Sequence, residues 1–193
     1  AHHEMAEHCR DGAILFSCMD WRHMEEMLTA ARKNSLEFKN LCVWAKDNGG
    51  MGSLYRSQHE LVFVFKKGKG KHVNNVELGQ HGRYRTNVWT YPGVNSFAGE
   101  GNESLKLHPT VKPVAMVADA MLDCSNRGDI ILDPFGGSGT TLIAAEKTKR
   151  KAALIELDPL YCNVIIKRWE DMTEQTAELI NGAEALDAEV SHG

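Results

Sequence analysis

Between Leu132 and Thr141 the chain reads Leu-Asp-Pro-Phe-Gly-Gly-Ser-Gly-Thr-Thr, with an apolar stretch before it, a helical pattern after it, and a carboxylate, Glu156, further on. Strand, glycine turn, helix and acid together describe a pocket for a nucleoside cofactor. Glycines let the backbone approach a ligand closely, and a helix start offers unpaired N–H groups to a carboxylate or phosphate. An acid at the next strand end can hold two ribose hydroxyls.

Two phosphate-binding readings lose weight on spacing. A dinucleotide fingerprint needs a third glycine where this chain has Leu142, and a P-loop needs a Gly-Lys-Ser/Thr that is absent. A cofactor without phosphate fits better, with its amino-acid end beside the turn and its ribose beside Glu156: S-adenosylmethionine. Its ammonium needs an acceptor, which gives Asp133 a task. Taken alone, the run is explained equally well as an ordinary β-turn-α corner with Asp133 as a helix-capping residue.

The upstream segment separates these readings. His108, Pro109, Thr110, Val111, Lys112 and Pro113 run into a helical pattern with Val114, Val117, Met121 and Cys124 on one face. With the Asp-Pro-Phe glycine turn, and then Glu156, Asp158 and Tyr161, this order closely resembles the amino-methylating DNA methyltransferases of the permuted β group. The similarity extends back through Cys18 to His23 and Asn40 to Lys67. It implies S-adenosylmethionine as cofactor, double-stranded DNA as partner, and a catalytic half placed before the cofactor half. Asp133, Phe135, Gly137, Gly139, Thr140 and Glu156 would then hold the cofactor, with His108, Thr110 and Lys112 lining its other side. Catalytic residues stay unknown, because the family's motif IV loop, of the type Asp/Asn/Ser-Pro-Pro-Tyr/Phe, does not occur here. Asp158-Pro159-Leu160-Tyr161 reads almost like it, but an Asp cap and a first-turn Pro explain that stretch structurally. The 193 residues are therefore expected to be part of a longer chain that supplies the missing strand.

Positioning these groups requires a doubly wound, Rossmann-like α/β sheet in circularly permuted order. Ala13 to Cys18, Phe38 to Lys46, Glu60 to Lys66, Asp129 to Leu132 and Ala152 to Glu156 read as strands. Met24, Met27, Leu28 and Ala31 form a helical stripe that Asp20 is placed to cap. Thr141 to Lys147 reads as a helix, and Tyr161, Ile165, Trp169 and Met172 mark the face of the last one. The expected division is a catalytic-half remnant over 1–66, a DNA-recognition loop over 67–101, a cofactor half over 102–181 and a flexible acidic tail over 182–193.

Two regions are candidates for DNA contact. The polar, glycine-rich stretch from Trp44 to Glu60 places Asn48, Tyr55 and Arg56 where they could touch a phosphate or the flipped base, with Glu60 as a brace; the plainer alternative is a hairpin whose Tyr55 merely packs. From Lys66 to Tyr91 six basic residues stand against one acid, and Lys69, Lys71, Arg83 and Arg85 are interleaved with Tyr84, Trp89 and Tyr91. A base cannot be methylated inside a duplex, so extrusion is implied. The recognition loop is small, so a homodimer or a fused DNA-binding domain would add specificity.

Composition agrees with an enzyme core. A chain with 42% hydrophobic and 25% charged residues and a net charge of −4 is ordinary globular material. Five scattered cysteines without a Cys-x-x-Cys pair indicate neither a disulfide framework nor a metal site. No apolar run reaches a membrane span, and a cytoplasmic location is expected. The expected activity is methyl transfer to an exocyclic base amine, adenine N6 favoured over cytosine N4. A methyltransferase for RNA or a small molecule, or a non-catalytic fragment that binds cofactor or DNA, are the alternatives.

Overall fold

The computed structural model describes residues 2–82, 84–93 and 111–180. Its first half is built on alternation, interrupted in one strand where the register shifts between Phe38 and Asn40. In β1 (Ile14–Met19), β2 (Leu36–Ala45) and β5 (His59–Lys67), successive side chains point to opposite faces of one sheet. Leu15, Leu61, Phe63 and Phe65 enter one core, beneath Met27 and Ala31 of α2 (Met24–Lys33) and Met5 of α1 (His2–His8). Phe16, Cys42, Trp44, Val62 and Val64 enter a second core on the other face, against Met116 and Ala120 of α3 (Val114–Cys124). β5 lies antiparallel between β1 and β2, and β6 (Val88–Thr90) adds to β2 in parallel, so the order is β1-β5-β2-β6. A tight hairpin, β3 (Gly52–Ser53) and β4 (Tyr55–Arg56), fills the connection from β2 to β5.

The second half is a parallel pair, β7 (Ile130–Asp133) and β8 (Lys151–Leu154), crossed by α4 (Thr140–Thr148) and followed by α5 (Pro159–Thr173). It has its own small core of Met121, Ala144 and Ala145. α3 joins the halves, because Val117 packs in both this core and the second core of the larger sheet.

The two sheets do not hydrogen-bond to one another. Among the described residues β1 pairs only with β5 and β7 only with β8, so one edge of each faces a seam. Arg10, before β1, reaches Asp129, before β7, at 3.3 Å. At the other ends of the strands the Cys18 thiol feels the Asp133 carboxylate. Matching ends therefore lie together, and β1 and β7 run in the same direction across the seam.

Most predicted elements are present with ends shifted by one or two residues. Asp20 caps the single 3-10 turn at Trp21–His23 that leads into α2, rather than α2 itself; its Oδ1 accepts from the Arg22 N–H at 2.8 Å. β6 and α1 were not anticipated as elements, being a three-residue strand and a seven-residue polar helix with no strong period. The tail beyond residue 180, and Arg83, His108 and Thr110, lie outside the described residues. Among the described residues no helix is long and apolar enough to cross a membrane.

Candidate functional site

The glycine turn sits at the C-terminal end of β7, where ligands of open α/β sheets bind. Asp133 closes the strand and both its oxygens are engaged: Oδ1 accepts from the Phe135 N–H at 3.0 Å and Oδ2 from the Thr141 hydroxyl at 2.6 Å. The chain then turns through Gly137 (φ 51°) and Gly139 (φ 79°), left-handed conformations that favour glycine. Gly139 opens α4, and a Cβ there would lie 3.1 Å from Ile165 of α5. The turn is thus floored by Ile165, while Phe135 and Leu157 at its rim are 69% and 96% exposed.

Glu156 lies just past β8 and ties this turn to the next helix. Its Oε2 accepts from the Gly137 N–H at 2.6 Å and its Oε1 from the Asp158 N–H at 3.0 Å. Asp158 in turn caps α5, accepting from the Leu160 N–H at 2.9 Å, with Pro159 in the first turn. The Asp-Pro-x-Tyr stretch is therefore a helix start in this fold. Both carboxylates are thus built into the turn, one at each strand end.

On the opposite side of the turn, Thr140 Oγ1 donates to the Lys112 carbonyl at 3.2 Å, and Lys112 Nζ lies 2.9 Å from Glu60 Oε1. Glu60 Oε2 also meets Lys46 Nζ at 3.4 Å, and that ammonium lies 4.3 Å above the Trp44 ring centroid. A continuous set of contacts thus runs from the glycine turn to the β2–β5 hairpin. Cys18 faces this cluster, and burial pushes its thiol up to about 11. Lys112 pulls the other way, while Glu60 and Asp133 reinforce the rise.

The predicted site residues divide by position. Asp133, Phe135, Gly137, Gly139, Thr140, Glu156 and Lys112 are brought together, as is the hairpin with Asn48, Tyr55 and Arg56 on the same end of the sheet. Gly93, held by the Asp47 carboxylate at 2.8 Å, packs near Asn48. Arg56 turns inward, donating to the Gly49 and Gly50 carbonyls. Lys69 and Lys71 follow β5 at the other end of the sheet, beside Asp11 and Gly12. Arg85 lies along α3, 2.7 Å from Asp123 and 3.8 Å from Asp119, with its guanidinium 5.3 Å from the Trp89 ring centroid. The structure does not gather Lys69, Lys71 and Arg85 into one surface with the glycine turn.

Arg168 was missed by sequence reasoning. It donates to the Ser138 carbonyl of the glycine turn, and burial pulls its guanidinium down from the usual arginine range. Its signal was available: it stands seven residues after Tyr161, on the buried stripe of α5, where a charge calls for an explanation.

A family model described as DNA methylase matches residues 2–168. The chain belongs to the DNA methylase family. Among its relatives in that family, "Type II methyltransferase M2.MboI" of Moraxella bovis is 27% identical over 149 residues, covering 74% of this chain and 53% of the relative. "DNA adenine methyltransferase YhdJ" of Escherichia coli K12 is 37% identical over 98 residues, covering 51% of this chain and 32% of the relative. This DNA methylase chain thus spans about half or less of the length of these curated relatives. Among solved structures, the M1.HpyAVI–SAM complex superposes with a TM-score of 0.70 at 23% identity, over 87% of this chain and 79% of that one. That match establishes the Rossmann-like methyltransferase fold.

Proposed function

We propose that this domain transfers a methyl group from S-adenosylmethionine to an exocyclic amine of a DNA base, adenine N6 in preference to cytosine N4. The observation that carries the reading is the glycine turn between two carboxylates. Asp133 and Glu156 flank one rim, and Ile165 fills the floor. These residues fit a cationic amino-acid nucleoside: carboxylate acceptors suit an ammonium and ribose hydroxyls, and the exposed Phe135 ring offers an apolar wall. Bound there, S-adenosylmethionine supplies an electrophilic methyl group on a sulfonium.

The residues of the chain orient and enclose. Asp133 and Glu156 would hold the two ends of the nucleoside, and Arg168 pins the Ser138 carbonyl so that the turn keeps its shape. Among the described residues of this cluster, none is arranged to activate a base amine. That amine is a poor nucleophile until acceptors draw on its hydrogens, because its lone pair is delocalised into the ring.

The seam between β1 and β7 supports a location for the missing acceptors. Two strands that run the same way, each with one unpaired edge facing the other, make a slot for one more parallel strand. Its C-terminal end would emerge beside Asp133, Cys18 and Lys112. A strand absent from these 193 residues, ending in Asp/Asn/Ser-Pro-Pro-Tyr/Phe, would deliver a carbonyl, a polar side chain and an aromatic ring to that spot.

Calorimetry with S-adenosylhomocysteine tests the pocket, and radiolabelled methyl transfer to duplex DNA tests the chemistry. The 193-residue chain alone should bind the nucleoside and transfer feebly; joined through a flexible linker to such a strand, it should transfer. Mass spectrometry of the product separates N6-methyladenine from N4-methylcytosine. No binding to the turn would overturn the reading, and transfer to RNA in place of DNA would favour the alternative substrate.

A further inference from the structure

The hairpin between β2 and β5 carries an arrangement its own fold does not use. Met51 and Leu54 are each 95% exposed and Tyr55 is 81% exposed. Leu54 also has φ 56°, in the left-handed region that disfavours a residue with a bulky side chain. Its leucyl group gains no packing in return. Glycine or asparagine would suit that position better on backbone grounds, and a polar tip would suit water better.

The tip is nonetheless held firmly. Gly50 N–H donates to the Ser57 carbonyl at 2.8 Å, and Lys46 and Gln58 exchange bonds at 2.9 and 2.8 Å. Arg56 clamps the Gly49 and Gly50 carbonyls. A Cβ at Gly52 would fall 1.9 Å from the Tyr55 carbonyl, so glycine is required for the two arms to close. The result is a narrow, braced projection with an apolar end. It is rooted at Glu60, which contacts Lys112, which contacts Thr140 at the mouth of the cofactor turn. Met19 pairs with Leu61, placing the hairpin on the same end of the sheet as Cys18 and Asp133.

We infer that this tip is a wedge for duplex DNA. Leu54 and Met51 enter the stack and fill the space that an extruded nucleotide leaves, while the Tyr55 ring covers the neighbouring base pair. Two features point to DNA rather than a protein surface. The projection is only three apolar residues wide, the scale of one base step, and no carboxylate lies between Asn48 and His59 to repel the flanking phosphates. The inference rests on the reading of the domain as a DNA base methyltransferase.

The test compares binding to two short fluorescein-labelled duplexes, identical except that one lacks a single base, by anisotropy across a salt series. A wedge makes the wild-type chain bind the gapped duplex more tightly, on the order of tenfold, because the vacancy is already open. Leu54→Asn, and Met51→Ser combined with it, should bring that preference to near unity. Affinity for the intact duplex and its salt slope should change little, since no phosphate contact is removed. Asparagine accepts the left-handed backbone, so thermal stability should hold or rise and misfolding cannot imitate the effect.

If the wild-type chain binds both duplexes equally, or the variants keep the preference, the wedge is overturned while DNA methylation stands. Failure to bind either duplex overturns the DNA reading itself. A change in self-association with the gap preference intact assigns the tip to a protein contact and overturns the wedge.

Discussion

Gly137 joins the two strand ends of the candidate site through its backbone alone. Its φ of 51° and its bond to Glu156 are both needed for the turn to meet the second strand end. Gly137→Val places a β-branched side chain in that conformation, at a cost of about 2 kcal/mol or more. Calorimetry should show S-adenosylhomocysteine affinity falling by at least about tenfold. Cys18 makes a second prediction at this scale. Its thiol pKa is raised from 9.0 to about 11 by burial, so the folded state keeps a proton that the unfolded chain loses. The associated stability is complete below pH 9 and is lost as pH rises through about 11. Alkylation of Cys18 by iodoacetamide, followed by mass spectrometry, should therefore begin well above the pH at which an ordinary thiol reacts.

Among elements, β6 and α3 show how the fold gives a charge partners that its neighbours in sequence do not announce. Arg85 was read as a DNA contact because it stands in a basic, aromatic stretch. The fold instead brings it to Asp119 and Asp123, one helical turn apart on α3, beside the buried Trp89. Burial raises the Asp123 carboxyl above its ordinary range, and the Arg85 guanidinium opposes that rise. Arg85→Ala should lower stability by about 1–3 kcal/mol in urea unfolding, with α3 the first element to loosen. The strands and helices themselves were legible because alternation and 3.6-residue stripes survive in the residues that bury them: Leu61 to Phe65 on both faces of β5, Tyr161 and Ile165 on α5. What was not legible was long-range pairing. Nothing local in Lys112 announces Glu60, and nothing in Lys69 or Lys71 announces that β5 carries them to the end of the sheet away from Asp133. The glycine turn was readable because its chemistry is written in consecutive residues.

For the whole molecule, the seam decides how protection is distributed. β5 is paired on both sides and largely buried, whereas among the described residues β1 and β7 each have one unpaired edge. Hydrogen exchange followed by NMR should find β5 amides uniformly slow and every second amide of β1 fast. A strand seated in the seam should slow that fast set together with the amides of β7. Equal protection along β1 in the 193-residue chain would mean that its edge is already covered.

The Arg10–Asp129 pair joins residues 119 positions apart, whereas β1, β5 and β2 pair within a span that ends at Lys67. Contacts between distant positions close late, because the intervening chain must first surrender its freedom. During synthesis the antiparallel strands can therefore form while the glycine turn is still unmade. Docking of the half that carries the glycine turn, with Val117 as its fastening point, follows the closure of that sheet.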